Sequence, residues 1–259
     1  MNVIIVTGAS SGMGREFVYQ MDKKFPNIDE IWLVARREKE LKRVASGCRH
    51  ECRVMPLDLT SPLALEVFSQ YLEKLRVKVK VLVNCAGYGI YGPFEQIDSD
   101  DLTGMIDLNC KALTAVTYAC MPYMARNSRV IQLASSAAFL PQPYFAVYAA
   151  TKSYVLSLTR ALRTEYSGKN IYFTAVCPGP VRTPFFERSE IGFGTLSLKK
   201  FVMAEPADVV RQALNDSRDG KQISVYGNLM KAFYVVTKII PHRWILFIYR
   251  GILKLERKG

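Results

Sequence analysis

Tyr148 and Lys152 stand four residues apart in the run Tyr148-Ala149-Ala150-Thr151-Lys152, a spacing that puts a phenol and an ammonium on one face of a helix. A free phenol titrates near pH 10, too high to exchange protons readily at neutral pH. A cation held about 4–6 Å away favours the phenolate and lowers that value by about one to three pH units. The pair therefore reads as a proton donor. The spacing alone carries little, because Tyr19 with Lys23 and Tyr234 with Lys238 repeat it. The middle copy differs in its company. Ser135 lies thirteen residues upstream, where the apolar run from Arg129 to Ala134 ends, and Asn109 lies in the long helical stretch before that. We read the other two copies as ordinary helix positions.

A second cluster of chemistry opens the chain. The apolar run Asn2–Val6 leads into Thr7-Gly8-Ala9-Ser10-Ser11-Gly12-Met13-Gly14. Glycines let a backbone turn tightly and approach a pyrophosphate, and a helix that starts there offers free N–H groups and a partial positive charge. The bland alternative is a tight strand-to-helix turn. At the end of the second apolar run, Leu33-Val34-Ala35-Arg36-Arg37 carries arginines where a dinucleotide site that prefers NAD places an acid for the ribose hydroxyls. An acid would repel a 2′-phosphate, whereas a guanidinium binds it in a forked, charge-assisted geometry. Arg36 thus points to NADP(H). The competing reading is that Arg36 and Arg37 merely begin a solvated helix.

The order Gly-x-x-x-Gly-x-Gly, with Thr7 ahead of it, resembles the short-chain dehydrogenase/reductase family, and the likeness can be followed to about residue 225. Within the family it leans toward hydroxysteroid dehydrogenases and 3-ketoacyl reductases. The resemblance implies that Gly8, Ser10, Ser11, Gly12, Met13 and Gly14 hold the cofactor's pyrophosphate side, with Asp58 and Leu59 at its adenine. Asp58 could equally cap the helix that begins near Ser61. Asn84-Cys85-Ala86-Gly87 resembles the family's Asn-Asn-Ala-Gly stretch, with Cys85 as a departure, and implies that Asn84, Ala86 and Gly87 line the cofactor. Cys177-Pro178-Gly179-Pro180-Val181-Arg182-Thr183 resembles the segment that clamps the nicotinamide, implicating Pro178, Gly179, Val181 and Thr183. Asn109, Ser135, Tyr148 and Lys152 match the family's catalytic set in order and approximate spacing. Counting back from Tyr148 favours Ser135 over its neighbour Ser136. By that resemblance Ser135 polarises the substrate oxygen and Tyr148 gives it a proton. Lys152 binds the nicotinamide ribose and depresses the tyrosine, and Asn109 holds a water linking Lys152 to solvent.

The elements that must position these residues alternate along the chain. Residues 2–7, 31–35, 52–56, 80–84, 129–134, 171–177 and 222–226 read as strands, and 13–24, 38–46, 61–75, 101–125, 147–167 and 206–217 as helices. Strands apolar throughout and alternating with helices predict a doubly wound parallel sheet of the α/β, Rossmann-like class, with about seven strands and helices on both faces. Ligands of such sheets bind at the carboxyl ends of the strands. Residues 1–228 read as one dinucleotide-binding catalytic domain, and 229–259 as a basic amphipathic helical extension broken by Pro241.

Composition narrows the classes further. Hydrophobic residues make up 49% and charged residues 22% of 259, an ordinary globular balance that argues against disorder. No apolar run is long enough to span a bilayer, and no secretion signal is expected at the start. The six cysteines are scattered, which suits reduced thiols in the cytoplasm. Cys48-Arg49-His50-Glu51-Cys52 offers ligand types from one short segment only, where structural zinc needs four ligands, so no metal is expected. The net charge of +12 is concentrated late, with eight bases against one acid from Lys221 to Gly259, a local feature and not a nucleic-acid stripe. That tail has three candidate roles: peripheral membrane contact, cover for the substrate pocket, or a subunit interface. Tyr91, Phe94, Phe139 to Phe145, Phe185, Phe186 and Phe193 suggest a hydrophobic carbonyl or alcohol substrate, steroid-like or fatty acyl. The family resemblance implies a homodimer or homotetramer through 101–125 and 147–167. The leading expectation is an NADPH-dependent carbonyl reductase. The alternatives are a catalytically silent NADPH-binding regulatory protein and a membrane-surface interaction protein, neither of which needs the catalytic spacing.

Overall fold

The computed structural model of the chain describes residues 1–185, 203–247 and 250. Seven strands form one sheet: β1 (Asn2–Thr7), β2 (Glu30–Ala35), β3 (Glu51–Pro56), β4 (Lys78–Asn84), β5 (Met124–Leu133), β6 (Tyr172–Val176) and β7 (Ile223–Ser224). Their spatial order is β3-β2-β1-β4-β5-β6-β7, and every pair is parallel. Parallel neighbours require crossovers, and helices supply them: α1 (Gly12–Lys24), α2 (Glu38–Ala45), α3 (Pro62–Lys74), α4 (Ser99–Ile106), α5 (Leu113–Cys120), α6 (Ala146–Glu165) and α7 (Pro206–Arg218). An eighth, α8 (Asn228–Ile239), follows the last strand. The chain leaves β1 toward β3 and then returns to the other side of β1 at β4. That reversal opens a crevice above the carboxyl ends of β1 and β4.

Strand periodicity divides the core in two. On β1, Ile4 and Val6 face a layer with Phe17, Val18 and Met21 of α1, while Val3 and Ile5 face one with Phe68 and Leu72 of α3 and Val116 of α5. Trp32 on β2 belongs to the second layer and is fully buried. Its indole N–H donates to Glu30 Oε2 at 2.9 Å, and Arg53 on β3 grips the same carboxylate with two bonds of 2.8 and 2.6 Å. The Cys48–Cys52 segment is tied down from the other side. Buried Asp22 of α1 accepts from the backbone N–H groups of Arg49 and His50, and from the Arg49 side chain, and it meets His50 Nδ1 at 2.9 Å.

The continuous helix expected over 101–125 is not formed. It breaks into α4, a wider π-type turn over Asp107–Ala112, α5 and a short turn at Met121–Tyr123, and β5 already starts at Met124. Pro122 explains the end, since it lacks an N–H and cannot continue a helix. The π-type turn inserts an extra residue per turn and re-aims the side chains that follow. The tail does break at Pro241: α8 ends at Ile239 and helix resumes over 242–247.

Trp32→Ala should lower unfolding free energy by about 3–5 kcal/mol through the cavity it leaves. Urea denaturation would measure this, and a loss below about 1 kcal/mol would mean that the second layer repacks.

Candidate functional site

The crevice encloses about 600 Å³ and runs from the turn after β1 to the start of α6. The turn works because of its glycines. Gly8 sits at φ +68 and Gly12 at φ +52, backbone conformations that favour glycine. A Cβ at Gly8 would stand 2.8 Å from the Ala86 nitrogen, so the loops after β1 and β4 touch. Thr7 Oγ1 fastens them by accepting from the Cys85 and Ala86 N–H groups at 3.1 and 3.2 Å. α1 begins at Gly12 with no side-chain cap on Ser11 and no acid in its first turn. Its first N–H groups and positive end are therefore available to an anion.

At the rim, Arg37 Nη2 donates to Ser10 Oγ at 3.0 Å and Ser11 Oγ at 2.7 Å. Arg36 stands beside it, 3.8 Å from Asp58, with both side chains substantially exposed. Burial pushes the Asp58 carboxyl up, but the two bonds from Thr60 and the Arg36 charge outweigh it and hold the group below its ordinary value. Ser61, not Asp58, occupies the cap position of α3. A positive, hydroxyl-lined rim beside an uncapped helix start and a turn with no space for a Cβ fits the phosphates of a dinucleotide. Gly14, Met13, Leu59, Ala86 and Gly87 line the same crevice, as do Pro178, Gly179, Val181 and Thr183. Thr183 lies across from Gly12, where an added Cβ would meet it at 3.3 Å.

Asn84 departs from its expected place. Its side chain turns away from the crevice to donate to Thr117 Oγ1 at 2.9 Å, and it is buried. Alternation along β4 is the reason: Asn84 faces α5, and Cys85 takes the crevice side. Asn109 also lies behind the wall. The π-type turn aims it inward, where Oδ1 accepts from Tyr88 N–H at 3.1 Å and Nδ2 donates to Tyr88 O and Thr151 Oγ1 at 2.9 and 3.0 Å. It braces the loop after β4 against α6. A Cβ at Gly87 would lie 2.7 Å from Asn109 Oδ1 and 3.4 Å from Lys152 Nζ, so the two side chains reach the same point.

Ser135, Tyr148 and Lys152 converge at the inner end. Ser135 follows β5, its Oγ accepting from Ala137 N–H at 3.1 Å. Tyr148 stacks on Phe145 with centroids 4.2 Å apart and lies tilted against Phe185 at 5.4 Å. Lys152 is buried, donates to Leu133 O at 2.7 Å, and holds Nζ 5.6 Å from the centre of the Tyr148 ring. Tyr19 and Tyr234, the repeats of the spacing, lie elsewhere, on α1 and α8.

The electrostatics reverse one expectation. Burial pushes the Tyr148 phenol up to about 12, with a hydrogen bond from Ser135 opposing it. Burial likewise lowers the Lys152 ammonium to about 8, partly offset by the nearby thiols of Cys85, Cys110 and Cys177. The chain's own groups thus raise the phenol where the spacing predicted a fall. Removal from water costs more than the Ser135 bond returns, and Lys152 directs a proton to the Leu133 carbonyl.

The substrate-facing wall was only partly anticipated. Phe145 and Phe185 line the crevice. Tyr91 instead packs on Tyr144 and Phe145, Phe94 is 61% exposed, and Phe139 lies beneath α8. Phe186 and Phe193 lie outside the described residues. Gln142, within the expected segment from Phe139 to Phe145, also lines the crevice, and Met230 and Phe233 of α8 take the pocket-covering role offered for the tail; Tyr88, on the loop after β4, was missed. Met230 is held so close to Gly179 that a Cβ there would meet its sulfur at 2.6 Å. Among the described residues, no group of three or more His, Cys, Asp or Glu is placed to hold a metal.

Comparison with known proteins agrees with this fold. A family model described as short chain dehydrogenase matches residues 2–191. Sulfoacetaldehyde reductase 2 of Chromohalobacter salexigens is 31% identical over 191 residues, covering 71% of this chain and 74% of that protein. In fold, the chain is similar to a short-chain dehydrogenase from Sphingobium yanoikuyae solved with NADPH, at TM-score 0.77 and 24% identity over 98% of this chain and 96% of that one. It is also similar to a short chain dehydrogenase/reductase from Burkholderia phymatum solved with NAD, at TM-score 0.77 and 20% identity over 91% and 92%.

The buried ammonium sets a stability cost with a definite sign. Lys152 has a folded value near 8, below its ordinary 10.5, so between those values the folded chain binds fewer protons and stability rises with pH. Lys152→Met should be more stable than the parent at pH 7, by roughly 1–3 kcal/mol after the lost bond to Leu133 O. The gap should close from pH 8 to 10.5, as thermal melts across that range would test; a variant less stable throughout would contradict it.

Proposed function

This chain belongs to the short-chain dehydrogenase family of oxidoreductases, and from that premise we propose that it interconverts a ketone and a secondary alcohol on a hydrophobic substrate, with NADP(H) as cofactor and Tyr148 as proton donor. The convergence of Ser135, Tyr148 and Lys152 at the inner end of the dinucleotide crevice carries the reading.

The glycine turn, Ser10, Ser11 and the start of α1 would hold the pyrophosphate side, and Arg36 with Arg37 the 2′-phosphate. Arg37 already aims at the two serine hydroxyls and no acid ends β2, which supports NADP(H) over NAD(H). Asp58 and Leu59 flank the adenine end, and Pro178, Gly179, Val181 and Thr183 the nicotinamide end. The bound cofactor supplies a hydride. Ser135 directs its hydroxyl at the substrate oxygen and polarises the carbonyl. Tyr148 donates its proton to that oxygen. The raised phenol keeps the proton in place at neutral pH, where a group titrating at 7 would have lost half of it. Lys152, still largely protonated at pH 7, faces the ring and supplies positive charge as the phenolate develops. Asn109 acts at one remove, fixing the Tyr88 loop and Thr151 beside the pair.

Phe145, Phe185, Met230 and Phe233 make the substrate wall apolar, and Gln142 adds a polar group, a combination that suits a steroid-like or fatty acyl ketone. The exposed Ile106, Tyr118 and Tyr154, on α4 to α6, support assembly as a homodimer or homotetramer. The free thiols suit the cytoplasm.

A panel of steroid, acyl and small aromatic ketones, run with NADPH and NADH side by side, tests the reading. Turnover should be found with at least one hydrophobic ketone, and Tyr148→Phe should lower kcat by about 10²–10⁴-fold while NADPH still binds. NADPH binding with no turnover on any ketone would favour a silent regulatory protein. Arg37→Ala should raise the KM for NADPH by roughly ten- to a hundredfold, the loss of one charge-assisted contact, and leave that for NADH nearly unchanged. An equal effect on both cofactors would remove the 2′-phosphate assignment.

A further inference from the structure

α8 has two apolar faces where a helix on a protein surface has one. Its inner face carries Met230, Phe233, Tyr234 and Thr237. Tyr234 packs on Phe139 at 4.7 Å, and Met230 and Phe233 form crevice wall. The outer face carries Ala232, Val235, Val236 and Ile239, with Val235 51% and Ile239 74% exposed. Beyond Pro241 the helical turn over 242–247 continues the pattern, with Trp244 at 56% and Phe247 at 73%. Seven of the fourteen large apolar side chains exposed among the described residues lie between Leu229 and Phe247, so the exposure is concentrated and not scattered.

The charges along this segment are all of one sign. Lys231 and Lys238 lie on α8, Arg243 and Arg250 follow, and no acid occurs from Asn228 to Arg250. A second copy of the same face would bring bases against bases, which disfavours pairing. An anionic surface would be attracted by each base near it. Exposed valine, isoleucine, tryptophan and phenylalanine beside lysine and arginine suit the boundary between headgroups and acyl chains. No helix among the described residues is long and apolar enough to cross a membrane, so the contact would be peripheral.

We propose that the outer face of α8 and the turn over 242–247 seat the protein on an anionic phospholipid bilayer. α8 then separates the bilayer from the crevice, with the Met230 and Phe233 wall on its far side. Docking requires only this face and its charges, and it stands whether or not the crevice reduces a ketone.

The full chain would be sedimented with vesicles of phosphatidylglycerol in phosphatidylcholine and with vesicles of phosphatidylcholine alone. The parent should pellet with the first and not the second, and raised salt should weaken the binding. Val235→Glu with Ile239→Glu should weaken binding by roughly tenfold or more, with thermal melting and NADPH affinity unchanged. Lys231→Glu with Lys238→Glu should act the same way. The idea is overturned if the parent stays in solution with anionic vesicles, pellets equally with neutral ones, or if the Val235/Ile239 variant binds as the parent does. It is also overturned if that variant splits an oligomer in the absence of vesicles, since the face would then be a subunit contact.

Discussion

Lys152 carries an ammonium into the interior, where it is 5% exposed, and the rest of the site is built around keeping it there. A buried amine tends to lose its charge, and this one is driven to about 8. One hydrogen bond to the Leu133 carbonyl anchors it to the end of β5. Asn109, aimed inward by the π-type turn, ties the neighbouring loop and α6 together beside it. The same dry surroundings push Tyr148 upward, so two groups of opposite kind are each biased toward the neutral form at close range. Sites that shift charged states in this way sacrifice stability for reactivity.

The opposite end of the crevice follows from the sheet. Because β1 has β2 on one side and β4 on the other, the loops leaving β1 and β4 meet above it with nothing between them. Gly8 permits that approach, Thr7 fastens it, and the uncapped start of α1 turns its N–H groups toward the gap. Arg37 extends the positive region outward across Ser10 and Ser11. One continuous groove thus joins a rim suited to phosphate with an inner end suited to proton transfer.

α8 closes the groove from a third side. Met230 against Gly179 and Phe233 near Phe139 make it part of the pocket wall, although in sequence it stands more than forty residues beyond Thr183. Its outward face has the composition of an inward one. Its packing on the protein covers Met230, Phe233 and Tyr234 and leaves Val235, Val236 and Ile239 exposed.

The alternation of apolar runs with helical stretches was enough to predict seven parallel strands, because a strand covered on both faces must be apolar throughout. The glycine turn, the Arg36–Arg37 pair and the order Asn109, Ser135, Tyr148, Lys152 were legible for a similar reason: each depends on residue type and local spacing. What spacing does not encode is direction. Alternation along β4 sent Asn84 behind the sheet and gave Cys85 the crevice. A π-type turn and Pro122 divided the helix expected over 101–125. Burial, which belongs to the whole fold, raised the phenol that a neighbouring cation was expected to lower. The sequence by itself determined the sheet, the turn and which side chains could meet. Only the tertiary structure decided how dry their meeting place is and which distant helix walls it, because desolvation and long-range packing arise when segments far apart in the chain exclude water together.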